Sequence, residues 1–106
     1  MGLKKMSDFE QLSSGVITWA AQRGIYDKGD PLSQLKKTQE ELDETISAVR
    51  KFDKDEIVDG IGDMLVTIII AADMMGYDAT ECLESAYEEI KDRTGKMVGG
   101  QFVKDK

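Results

Sequence analysis

Asp63-Met64-Leu65-Val66-Thr67-Ile68-Ile69-Ile70-Ala71-Ala72-Asp73 is the most apolar stretch of the chain, and its conformation decides the fold class. On β-propensity alone the run from Met64 to Ile70 would make a buried strand. Outward from it, however, Ile57, Ile61, Leu65 and Ile68 recur every three or four residues, which is the period of an α-helix. The spacing predicts a helix that opens at Asp53, paired with Glu56 three residues later as a capping pair, and reaches Met75 with Gly76 as its stop. Val66 and Ile70 are apolar away from the main stripe, so this helix should be covered on several faces, one of them by another subunit. The run from Met64 to Ala72 is about half the length of a membrane span and is bracketed by acids, so it belongs to a buried helix.

Three more helices follow from the same reasoning. Ser7 caps a first helix with Phe9, Leu12, Val16, Ile17 and Ala20 at helical spacing, ending near Gly24. Asp27-Lys28-Gly29-Asp30-Pro31 is a loop in which Asp30 suits the N-cap and Pro31 the first helical position. The helix it opens runs to about Arg50, with Leu35, Leu42, Ile46 and Val49 expected on its core side. Asp78 to Glu81 begin the last helix, with Leu83, Ala86, Tyr87 and Ile90 inward, ending by Gly95. The tail from Lys96 to Lys106 holds Gly99-Gly100 between short apolar pairs, which fits a small hairpin or a closing arm. The expected fold is therefore all-α, a four-helix bundle with a short C-terminal tail or hairpin, as a single domain over residues 1–106.

Composition narrows the function classes. Fourteen Lys and Arg stand against 21 Asp and Glu, a formal charge of −7, so neither nucleic acid nor an anionic membrane finds the basic surface it needs. No histidine is present, which excludes Ser-His-Asp and Cys-His catalysis and His-ligated zinc. Cys82 has no partner for an intrachain disulfide and no base beside it in sequence. It is expected to be a small buried hydrophobe in a chain of the reducing cytoplasm. Residues 1–6 are basic but lack the apolar run of a signal peptide. Chemistry must then run on carboxylates, lysines, hydroxyls and a hard cation.

The carboxylates are arranged in stripes. With Leu42 as origin and about 100° per residue, Lys37, Glu41 and Glu44 fall near −140°, −100° and −160°, flanking the apolar face of their helix. On the next helix Glu56, Asp59 and Asp63 lie within roughly 60° of one another, away from its core-facing set. Acidic helix faces ordinarily serve solubility and local pairing. Here Glu40-Glu41-Leu42-Asp43-Glu44 has no basic partner just downstream, and matching acids recur on the neighbouring helix. Facing stripes would form a cage of four or five carboxylates, unstable without a cation because like charges raise each other's pKa. Mg²⁺ takes oxygen ligands and shares them with phosphates.

Glu40-Glu41-Leu42-Asp43-Glu44 resembles the E-E-x-x-E element of the MazG-like, all-α nucleoside triphosphate pyrophosphohydrolases. Asp59-Gly60-Ile61-Gly62-Asp63-Met64-Leu65 is similar to the D-E-L-G-D-L-L region that carries the family's E-x-x-D element. The likeness extends to Trp19-Ala20-Ala21-Gln22-Arg23-Gly24-Ile25 and to Tyr87 through Gly95, in the style of short phage or mobile-element members. It implies a helical bundle that forms a homodimer or homotetramer, binds Mg²⁺ with Mn²⁺ as an alternative, and splits a nucleoside triphosphate into monophosphate and pyrophosphate in nucleotide-pool cleansing. Carried over, Glu41 and Glu44 are metal ligands and Asp63 is the last of the set. At Gly60, where the family has Glu, the chain departs from the pattern, and Glu56 or Asp59 on the same stripe is expected to substitute, with Glu56 favoured for its length.

Glu40 or Glu44 is the candidate to take the proton of the attacking water, which with Glu41 makes up the catalytic set. Lys37, Lys91, Arg93 and Lys96 are the candidate phosphate contacts. Trp19 could stack on a base or be a core or interface residue near Val16, and Tyr87 and Phe102 share that ambiguity. Two other classes stay open: a phosphoribosyl-ATP pyrophosphohydrolase-like enzyme, and a non-catalytic acidic helical binding module, the latter because of Gly60.

Overall fold

The computed structural model describes residues 6–105. Each long helix starts where a side chain can satisfy its first free backbone N–H groups. In α1 (Asp8–Gln22) the Ser7 hydroxyl accepts from the Glu10 N–H; in α3 (Pro31–Arg50) Asp30 accepts from that of Ser33; in α4 (Lys54–Met74) Asp53 accepts from that of Glu56; in α5 (Ala79–Ile90) Asp78 accepts from that of Thr80. The Ser33 N–H and hydroxyl together hold the Asp30 carboxyl below the usual carboxylate range. The apolar stretch around Ile68 is helical throughout, as its period predicts.

A one-turn helix, α2 (Ile25–Lys28), was not anticipated. Gly24 takes a left-handed conformation (φ +74) that ends α1 and turns the chain. Tyr26 then donates a hydrogen bond to Asp73 Oδ2 at 2.6 Å, tying α2 to the far end of α4. Burial, and then this bond to a carboxylate, push the Tyr26 hydroxyl above its usual range. After α5 the strands β1 (Gly95–Val98) and β2 (Gln101–Lys104) pair antiparallel, Met97 opposite Phe102. Gly99 and Gly100 both have positive φ, the requirement of the tightest hairpin turn. The tail is therefore a hairpin, and the described chain has five helices and a two-stranded sheet.

Among the described residues the most extensive helix contact is between α3 and α4, with α1 on α4 and lighter contacts from α5 to both. Thr38 meets Thr67 hydroxyl to hydroxyl at 2.6 Å, and Thr45 faces Gly60, so α3 and α4 run antiparallel in one register. Thr38 also approaches the Gln34 carbonyl and Thr67 that of Met64. One hydroxyl therefore donates across the seam while the other donates back along its own helix.

This seam overturns the expected core side of both helices. The buried residues of α3 are Glu41, Thr45 and Ala48, and those of α4 are Gly60, Thr67, Ile69, Ile70 and Ala71. Leu35, Leu42, Ile46 and Val49 are instead exposed by 40% to 53%, and Ile61, Leu65 and Ile68 similarly. Small and hydroxylated residues let two helices approach closely, which the larger apolar stripe would not. On α5 no residue is buried, so the inward placement of Leu83, Tyr87 and Ile90 and the burial of Cys82 do not hold within this chain. Phe102 is likewise exposed rather than core.

The molecule is correspondingly spread out. Its radius of gyration of 16.5 Å exceeds the roughly 13 Å of a folded domain of this length. Its accessible surface of 8616 Å² compares with roughly 5,900 Å² for a folded monomer of this mass. Among the described residues no helix is long and apolar enough to cross a membrane.

Candidate functional site

Along α3, Glu41, Glu44, Ser47 and Lys51 follow one another at steps of three or four residues; along α4, Glu56, Asp59 and Asp63 do the same. Because the Thr45–Gly60 contact sets the two helices close and antiparallel, the two rows border one cleft of about 290 Å³. All five carboxylates expected as ligands line it: Glu41, Glu44, Glu56, Asp59 and Asp63. Gly60 forms its floor, where a Cβ would overlap the Thr45 hydroxyl and lie 3.2 Å from Thr45 Cβ. A side chain at position 60 would have to displace Thr45, so the missing acid goes with the close helix spacing.

Glu41 is 8% exposed, a carboxylate buried at the inner end of the cleft. Lys37 stands by it, Nζ 3.7 Å from Oε1, and also 3.9 Å from Oε2 of Glu40. A buried carboxylate needs such company or a cation, because burial strips its hydration. Among the described residues no three acids converge on one point closely enough to make a ready coordination set. The donor chemistry nevertheless suits a hard divalent cation, since every acid in the cleft offers carboxylate oxygens on a rotatable stem.

Glu41 and Asp63 are shared with a second hollow of about 550 Å³, walled by Trp19, Ile25, Ser33, Gln34 and Lys37. Trp19 is 45% exposed, and the Arg23 guanidinium lies 5.6 Å from its ring centroid, a cation–π contact that steadies the ring. An aromatic face, an amide and a hydroxyl thus stand next to the acidic cleft. Trp19 is therefore not a core residue; it borders this hollow and also an apolar one with Leu12 and Val16, as a residue at an interface would.

Other expected site residues are not brought in. Glu40 is exposed and lies outside the cleft lining. Tyr87, Lys91, Arg93 and Lys96 border neither hollow; Lys91 pairs with Glu88 at 2.8 Å on α5. Ser47 and Lys51 line the acidic cleft without having been picked out from the sequence. The signal was present, since Lys51 lies seven residues, two helical turns, beyond Glu44 on the same stripe.

Residues 30–98 match the MazG nucleotide pyrophosphohydrolase domain family, a span from the cap of α3 through β1 that contains both acidic rows and excludes Trp19. A protein of Haemophilus phage HP1 (strain HP1c1), described as an uncharacterized 18.2 kDa protein in the rep-hol intergenic region, is 37% identical over 67 residues. That similarity covers 63% of this chain and 41% of the phage protein, so the chain spans less than half of its relative's length. No solved structure matches. With the family's span lying over both acid-bearing helices and their shared cleft, the chain belongs to the MazG nucleotide pyrophosphohydrolase domain family.

Proposed function

We propose that the chain hydrolyses nucleoside triphosphates, including non-canonical or deoxy forms, at the bond between the α and β phosphates, in cleansing of the nucleotide pool. The observation that carries this is the single cleft lined by five carboxylates from two helices. Glu41, Glu44, Asp63 and, at the other end, Glu56 and Asp59 are the residues to hold Mg²⁺, or Mn²⁺ in its place. The chemistry supplied by the bound ion is neutralisation of the triphosphate and polarisation at Pα.

This chain's own residues supply the rest. Glu44, inside the cleft where Glu40 is not, accepts a proton from the attacking water. The water oxygen bonds to Pα, the Pα–O bond to the β phosphate breaks, and pyrophosphate leaves. Lys37 and Lys51, beside the two ends of the acidic row, contact phosphate oxygens. Trp19 stacks on the base. Packing against Thr45 accounts for Gly60, the feature that favoured a non-catalytic module.

A homodimer or homotetramer belongs to the same proposal. The half-exposed stripe of Leu35, Leu42, Ile46 and Val49, with Ile61, Leu65 and Ile68, is of the kind that packs a helix pair against its copy, completing a four-helix bundle. The surplus accessible surface is of the order an obligate dimer covers, about 1,000–2,500 Å² per chain. We place the protein in the cytoplasm, in keeping with its exposed free thiol at Cys82.

The test is pyrophosphate release from a panel of ribo- and deoxyribonucleoside triphosphates, and phosphoribosyl-ATP, with Mg²⁺ and with chelator. Monophosphate and pyrophosphate formed only with metal are the expected products. No release across the panel overturns the proposal and returns the chain to a binding role.

A further inference from the structure

We propose that a hollow where α1, the end of α4 and the start of α5 meet is a binding site for a free aliphatic diamine or polyamine. It has a volume of about 270 Å³ and shares no lining residue with the acidic cleft or with the hollow beside Trp19. Occupancy there does not depend on the chemistry of the cleft.

Two hydroxyls in its wall have left water without gaining a partner. Thr80 Oγ1 is buried and makes no hydrogen bond. Ser13, in the middle of α1, is 6% exposed, and its side chain makes no hydrogen bond among the described residues. By contrast the hydroxyls of Thr38, Thr45 and Thr67, at the α3–α4 seam, are all bonded. Unpaired buried hydroxyls cost stability, and two at one hollow mark a place where a ligand supplies the missing bonds.

The surrounding groups select the ligand. Glu10, Asp73 and Asp78 line the same hollow, and among the described residues no lysine or arginine does. Each acid commits one oxygen: Glu10 Oε1 to the Ser7 hydroxyl, Asp73 Oδ2 to that of Tyr26, and Asp78 Oδ1 to the Thr80 N–H. The second oxygen of each has no partner among the described residues. All the open groups therefore accept hydrogen bonds, so the ligand must be a positively charged donor. The start of α5 would by itself attract an anion, but Asp78 already caps it, and α4 ends at the same place with the negative end of its dipole.

A metal ion suits the hollow less well. A hard cation needs oxygens converging to about 2.0–2.6 Å, and no three acids among the described residues do so. A diamine carries three N–H donors at each end of a flexible chain and reaches acids that stand apart. Its methylenes meet Ile17, Ile69 and Tyr77 in the same wall. A lysine from another protein would bring one ammonium to three acids, where a diamine brings two. The volume lies just below the roughly 300–1,000 Å³ of sites for drug-sized ligands, as a small linear molecule requires.

The test titrates the ¹⁵N-labelled full chain with 1,4-diaminobutane at 0.15 M salt, where exposed charges are screened beyond about 8 Å. Saturable one-to-one amide shifts at Ser13, Asp73 and Gly76 through Thr80 are expected. Shifts confined to Glu41, Glu44, Asp59 and Asp63, shifts that do not saturate, or none at all overturn the site. An equal response at the same residues to 1,4-butanediol or to Mg²⁺ overturns the choice of ligand. A Ser13→Ala/Thr80→Val variant keeps every charge and deletes only the two unpaired hydroxyls. It should melt at or above the wild-type Tm while the dissociation constant for the diamine rises about tenfold or more. Unchanged affinity in that variant would mean that general acidity holds the amine, which also overturns the proposal. If the variant loses helicity, the wild-type shift map decides the matter by itself.

Discussion

Replacing Gly60 with alanine tests the helix spacing that holds the two acidic rows in one cleft. The new Cβ would overlap the Thr45 hydroxyl and stand 3.2 Å from Thr45 Cβ and 3.6 Å from its Cα. Thr45 is buried and donates to the Glu41 carbonyl at 2.7 Å, so it has little room to yield. Alanine gains about 1 kcal/mol over glycine in helix propensity. Against this, overpacking costs about 1–3 kcal/mol, and losing a buried hydroxyl's bond adds about 1 kcal/mol. The steric side wins, by about 1–3 kcal/mol. For a domain of this size that lowers Tm by about 4–8 °C per kcal/mol, read by thermal unfolding at fixed protein concentration. In a Thr45→Ala background the obstruction is gone and Gly60→Ala should be neutral or stabilising, giving a coupling above about 1 kcal/mol in the double-mutant cycle. Gly60→Glu, which restores the family's acid, should spread the helices and reduce both stability and pyrophosphate release. A Gly60→Ala protein as stable as wild type with Thr45 in place would refute the spacing argument.

Glu41→Gln removes the buried carboxylate at the inner end of the cleft and should abolish metal-dependent pyrophosphate release while circular dichroism shows unchanged helicity; wild-type-like turnover would sink the assignment. Trp19→Ala removes the aromatic wall of the adjoining hollow and, with a base stack worth about 1–3 kcal/mol, should raise KM about tenfold or more with kcat little changed. Tyr26 gives a pH dependence of defined sign. Its hydroxyl stays protonated in the folded state above its usual value of 10.0, so its contribution is complete below that pH and falls as pH rises through the elevated folded value. Tyr26→Phe should therefore lower stability at neutral pH by about 1 kcal/mol, the worth of a lost hydrogen bond, and show a shallower loss above about pH 10 than wild type in urea titrations.

The helices were legible because their ends are written in short-range chemistry. Ser7, Asp30, Asp53 and Asp78 each cap a helix through a side chain two or three residues from the N–H it accepts, so no tertiary information is needed. The five cleft acids were legible for a related reason: the helical period sets each row, and the short turn between α3 and α4 brings the rows together. The turn of α2 was not, because it depends on Gly24 being left-handed and on Tyr26 reaching Asp73, 47 residues away. Lys91, Arg93 and Lys96 were candidates by their charge, a criterion that carries no position, and within this chain they border neither hollow.

The face of α3 that meets α4 was misjudged for a more general reason. Hydrophobicity reports which residues must be covered, and it is silent on what covers them. The seam within the chain is made from Thr38, Thr45, Ala48, Gly60 and Thr67, residues small enough for close approach, and that closeness is what gathers the acids. The larger stripe containing Leu42 and Leu65 is left facing outward. On this division of labour the seam builds the site and the outer stripe governs assembly, and the two should respond to different substitutions. Leu42→Glu with Leu65→Glu removes two half-exposed leucines per chain, four in a dimer, at about 1 kcal/mol each. The association constant should fall about a thousandfold, seen as a monomer in sedimentation at concentrations where wild type is associated. Helicity should persist, since neither side chain lies in the α3–α4 seam. Undiminished association in that double variant would mean that this stripe is not the surface through which copies meet.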